Sequence, residues 1–101
     1  MIFRHGEVII LNMKGESKIP KGAKRLNHLV LAEGEVTGHA HRISQGKAEL
    51  YEKEGILYLK VLDNEAVLTH EDHDAITLPK GDFEIKIQRE YRPGGWNAVK
   101  D

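Results

Sequence analysis

The chain contains no cysteine. Disulfide frameworks and thiolate metal sites are therefore excluded, and any bound metal must be held by His, Asp or Glu. Neither sign of charge dominates, since 15 Lys+Arg stand against 16 Asp+Glu for a formal net charge of -1. Such a balance gives no electrostatic footprint for wrapping nucleic acid or lying on an anionic membrane, so nucleic acid is a disfavoured partner. No apolar run approaches the ~18 residues of a membrane span. The stretch Met1-Ile2-Phe3-Arg4-His5-Gly6-Glu7 lacks the basic region and apolar core of a secretory signal, and the expected location is cytoplasmic with no membrane partner. Internal repeats, low-complexity segments and apolar stripes at helical spacing are also missing. At 101 residues there is room for one domain with one modest core and no separate cofactor-binding module.

What is present reads as short strands. Phe83, Ile85 and Ile87 alternate with Glu84, Lys86 and Gln88, the two-residue period of a half-buried strand. Ala48-Glu49-Leu50-Tyr51 and Ile56 to Val61 flank Glu52-Lys53-Glu54-Gly55, a polar connection ending in Gly that signals a hairpin. Asp63-Asn64 reads as a further turn before Ala66-Val67-Leu68-Thr69, and Pro79-Lys80-Gly81-Asp82 reads as a tight reversal after Ala75-Ile76-Thr77-Leu78. Val8 to Leu11 and Leu29 to Leu31 add apolar runs. Closely spaced strands without helices predict an all-β fold, a small single-domain barrel or sandwich of short antiparallel strands. The domain is expected over residues 1–92, with 93–101 as a C-terminal tail in which Trp96 offers a docking anchor.

Within this framework histidine is the concentrated feature. Four of six histidines form two tight pairs, His39-Ala40-His41 and His70-Glu71-Asp72-His73, and imidazole serves both as metal ligand and as proton shuttle near neutral pH. If a strand runs on from Leu29, then Leu29, Leu31, Glu33, Glu35, Thr37, His39 and His41 share one face unless a bulge at Gly34 or Gly38 resets it. Two strand residues on one face stand roughly 6.6 Å apart at Cα, which lets both rings of an H-x-H reach one ion. His70 shares parity with Ala66 and Leu68 and so points inward. Residues i and i+3 oppose each other on an ideal strand, so His73 joins only if Glu71-Asp72 turns. The expected cofactor is a divalent transition metal (Zn, Fe, Mn, Ni or Cu) on His39, His41, His70 and His73. His5 and His28 are read as ordinary polar residues, and Tyr51, Tyr58 and Tyr91 as core or rim aromatics.

Gly34-Glu35-Val36-Thr37-Gly38-His39-Ala40-His41 resembles the glycine-then-H-x-H part of the first cupin motif, and Pro79-Lys80-Gly81 resembles the P-x-G turn of the second. The resemblance implies a metal-compatible β-barrel with His39 and His41 as ligands. The chain departs from the pattern in two places. The motif glutamate is missing shortly after His41, where Glu49 comes several positions late, and no histidine follows Pro79-Lys80-Gly81.

Three functions fit these residues. In the first, a Lewis-acid site leaves a position open for water or a small-molecule ligand, with Glu35 or Glu71 as base and Arg89 orienting an anionic group. In the second, two histidines act as general acid and base without metal, with Lys80 or Arg89 stabilising an anionic transition state, as in a phosphodiesterase or ribonuclease. The third is a non-enzymatic binding module or homo-oligomer built through an exposed strand.

Overall fold

The computed structural model describes residues 2–14, 18–33, 38–92 and 95–98, with side chains described as far as residue 88. Its strands are β1 (Ile2–His5), β2 (Val8–Asn12), β3 (Lys24–Arg25), β4 (Val30–Glu33), β5 (Ala40–Gln45), β6 (Ala48–Lys53), β7 (Ile56–His70), β8 (His73–Ile87), β9 (Arg89–Arg92) and β10 (Gly95–Ala98). The fold is all-β, with no helix among the described residues. Among these residues, therefore, no helix is long and apolar enough to cross a membrane.

One eight-stranded antiparallel sheet runs β1-β2-β8-β7-β5-β4, with β6 also against β7 and β3 against β6, and it curls into a half-barrel. The hairpin read around residues 52–55 is present. Glu54 and Gly55 both have positive φ, 52° and 82°, the signature of a type I′ turn whose twist matches that of the strands it joins. Alternation across β8 also holds, since Phe83 and Ile85 are buried while Lys86 is exposed.

Two expected reversals are corrected. Asp63-Asn64 and Pro79-Lys80-Gly81-Asp82 are not turns, because β7 and β8 run straight through them for 15 residues each. They lie opposite one another. Val61 pairs with Gly81 and Glu65 with Pro79, so residues 62–64 face Lys80 alone in a register shift. Turn chemistry and bulge chemistry share the same residues, since both need irregular φ/ψ and a missing donor. Gly81 has φ +148°, and Pro79 has no N–H to give the ladder. The displaced amides of Leu62 and Asp63 donate instead to the Lys47 carbonyl, at 2.9 and 3.4 Å. This bulge bends the long hairpin and so helps curl the sheet.

A third correction concerns the run from Leu29 to His41. It is two strands, β4 and β5, paired antiparallel with Ala32 opposite His41. The chain therefore reverses where a single strand was expected, and the shared-face argument does not apply. At the other end, residues 95–98 pair with 89–92 in a separate two-stranded sheet.

The buried apolar side chains form one continuous cluster. Val8, Ile10, Leu50, Leu59, Leu68, Leu78 and Phe83 are fully buried, each contributing roughly 1.5–3 kcal/mol on leaving water. Phe83 meets Phe3 edge-on at 6.2 Å between ring centroids.

Candidate metal centre

The polar end of this core is made of histidine. His70 ends β7 and His73 begins β8, and the two are paired across the Glu71-Asp72 turn. Partners directly opposite in an antiparallel ladder point to the same face, so the turn that the i, i+3 spacing required is present. Ala66, Leu68 and His70 are all buried, as their shared parity predicts. His41, the second residue of β5, is 0% exposed.

These three converge. Ligand atoms of His41, His70 and His73 all lie within 4.8 Å of one another. Ring centroids of His41 and His70 stand 4.2 Å apart, and those of His70 and His73 4.8 Å. This arrangement can hold a metal ion in a small β half-barrel. His73 is the partly exposed member, although its Nε2 is buried.

His39 stands beside the group. It precedes β5, and its Nδ1 lies 2.7 Å from Asp72 Oδ2. Its ring centroid is 5.9 Å from that of His70. Glu71 is committed elsewhere, since its carboxylate accepts from the Ala40 amide at 2.9 Å and lies 3.6 Å from the Arg42 guanidinium. The Ala40 bond is the leading reason its pKa falls below the usual carboxylate range, which is the opposite of the elevation that suits a base near neutral pH. Glu35 lies outside the described residues, and Arg89 belongs to β9 with a side chain outside them. His28 is exposed, and its Nδ1 accepts from the Val30 amide.

Two residues that sequence reasoning passed over line the same group. His5, the last residue of β1, is 3% exposed, and Glu7 is 5% exposed. They flank Gly6 in a two-residue turn in which His5 pairs with Val8. Positive φ (+63°) falls at Gly6 and not at Glu7, the pattern of a type II′ turn. The available signal was a short polar connection with Gly between the apolar runs Ile2-Phe3 and Val8 to Leu11. His5 Nδ1 lies 2.9 Å from His41 Nδ1, and His5 Nε2 2.9 Å from the Asp74 carbonyl oxygen. On the other side of His41, Nε2 lies 2.5 Å from Glu7 Oε1.

Burial and mutual repulsion favour the neutral forms of His5, His41 and His70. Desolvation is the main cause for His41, followed by the fields of His70, His5 and His73, and its pKa drops to about 4. His5 is lowered by burial first, against the opposing Asp74 bond, and His70 by burial and then by His73. Neutral imidazole is the form that binds metal. His70 is not yet set for it, because its Nδ1 accepts from the Asp72 amide at 2.9 Å. A metal at either ring nitrogen requires that bond to be remade.

No curated protein and no solved structure matches this chain. A family model does match, over residues 4–88, a span that holds His5, Glu7 and all three converging histidines. The chain belongs to the family described as Domain of unknown function (DUF8820).

Proposed function

We propose that this protein binds a divalent transition metal through His41, His70 and His73 and presents it to a small-molecule ligand at the rim of the half-barrel. The observation that carries the reading is the convergence of three imidazoles within 4.8 Å on three strands, two of them buried. Nitrogen donors of this kind suit Zn, Cu, Fe and Ni better than Mg or Ca. Three protein ligands of a four-coordinate ion leave a position open, and a metal there supplies Lewis-acid polarisation of a bound oxygen.

The chain's own residues shape the rest. Leu68 and Ala66, which share the parity of His70 along β7, are buried with it. His39 and Asp72 bridge β5 to the β7–β8 turn and hold His70 and His41 in one neighbourhood.

Elemental analysis of untagged protein, with melting curves before and after chelation, tests the reading. The expected result is one transition metal per chain and a melting temperature that falls on chelation and returns with Zn2+. Saturation at 100 times Kd stabilises by about 2.7 kcal/mol. His70→Ala is expected to abolish the response. Equal metal content in wild type and His70→Ala overturns the assignment.

A further inference from the structure

The strongest unassigned feature is the buried line of polar atoms from Asp74 to Glu7. A backbone carbonyl only accepts, so the contact between the Asp74 oxygen and His5 Nε2 at 2.9 Å requires the proton of His5 to sit on Nε2. The neutral ring then offers a lone pair at Nδ1. His41 Nδ1, 2.9 Å from it, must be the donor. Once its proton is on Nδ1, neutral His41 has a lone pair at Nε2, and that atom faces Glu7 Oε1 at 2.5 Å. Glu7 Oε1 is itself buried, with no hydrogen-bond donor aligned to it. An imidazole lone pair and a carboxylate oxygen repel at that separation unless a cation lies between them.

We propose that Glu7 is a fourth ligand of the His41, His70 and His73 centre, and that His5 is the positioning residue that turns the His41 Nε2 lone pair toward the ion. The proposal rests on the metal reading above and extends it by a carboxylate donor and a tautomer-setting relay. Carbonyl to His5 to His41 to metal is the outer-shell arrangement that fixes ring orientation at metal sites. Gly6 supplies an independent geometric sign. A Cβ at this position would lie 2.6 Å from His73 Nε2 and 3.1 Å from His41 Cε1, so the turn bearing Glu7 is pressed against the rings. Bonds of ~2.0–2.2 Å at angles between 90° and tetrahedral open the His41–Glu7 separation to about 2.8–3.6 Å. One carboxylate with three neutral imidazoles fills a four-coordinate shell and leaves a divalent centre with one net positive charge, so an anionic or carbonyl-bearing small ligand enters only by expanding the shell to five or by displacing Glu7.

The test is Zn2+ titration of chelator-stripped full-length chain, in competition with a chromophoric chelator. Loss of an outer-shell partner weakens metal binding roughly 10–100-fold. His5→Phe, which keeps ring volume but cannot accept from His41, is expected in that range and should shift the 15N signature of the His41 tautomer. Glu7→Gln removes a direct ligand and is expected to lose about 100-fold or more. A crystal structure of the Zn2+-loaded wild type provides a readout independent of variant folding, with Glu7 Oε1 expected at about 2.0–2.2 Å from the ion. If wild type takes up no Zn2+, a shared proton is the only cation in the line, and both this proposal and the metal centre fall. If wild type binds Zn2+ and Glu7→Gln binds within twofold of it, or the crystal places Glu7 beyond about 3 Å, the Glu7 assignment alone is overturned. A His5→Phe variant with unchanged affinity and tautomer overturns the positioning role.

Discussion

Replacing Gly6 by alanine separates the site's geometry from the fold's stability. Gly6 has φ +63°, and the added methyl would meet His73 Nε2 at 2.6 Å. The first central position of a type II′ turn is a glycine region that costs an L-residue about 1–3 kcal/mol. For a domain of this size that lowers the melting temperature by about 4–24 °C, at roughly 4–8 °C per kcal/mol. Relief of the contact is inexpensive, because the atom in the way ends a side chain, so His73 swings aside and the fold survives. To reach ordinary contact at about 3.4 Å its Nε2 must move by roughly 0.8 Å, several times the ±0.2 Å that metal–ligand distances tolerate. The affinity loss should therefore outrun the stability loss. Zn2+ titration and melting curves on Gly6→Ala read both quantities. Gly46→Ala is the control, because its methyl meets the Glu65 carbonyl oxygen at 2.4 Å. That clash is with backbone, so it costs stability while leaving the Zn2+ affinity of the folded fraction unchanged. A Gly6→Ala protein that melts lower but binds Zn2+ as tightly as wild type refutes the claim that this glycine makes room for the ligand rings.

Acid should destabilise the metal-free protein. The folded pKa of His41, about 4, lies below its ordinary 6.5, so the unfolded chain takes up protons more readily. The resulting stability is present above about pH 6.5 and is lost as pH falls toward 4. His41 alone accounts for about 2 kcal/mol between pH 7 and 5, and His5 and His70 shift in the same direction. A melting temperature that stays flat or rises across that range refutes neutral burial of the cluster. In the core, Phe83→Ala removes a fully buried ring and should cost about 3–5 kcal/mol in denaturant titrations. A loss below about 1 kcal/mol would mean that the ring is not packed as described.

Much of the fold was legible because burial leaves a local record. Phe83 to Gln88 alternates, Glu54-Gly55 turns, and His70 follows the parity of Ala66 and Leu68. The failures share one cause. Asp63-Asn64 and Pro79-Lys80-Gly81 carry the chemistry of a reversal, but each lies opposite the other, and two irregularities facing one another across a ladder make a bend. No residue in either segment records what it faces.

The candidate site divides along the same line. By itself the sequence determined an all-β chain with no thiolate, and its paired histidines made imidazole the candidate donor. It also determined that His70 and His73 could meet across a turn, because strand parity and turn spacing act within a few residues. Only the tertiary structure decided that His41 joins them while His39 lies beside them. The same holds for His5 and Glu7, 36 and 34 residues from the nearest of the converging histidines in the chain. Curling of the sheet brings the β1–β2 turn against the tip of the long β7–β8 hairpin, a contact set by strand order and by a bulge midway along that hairpin.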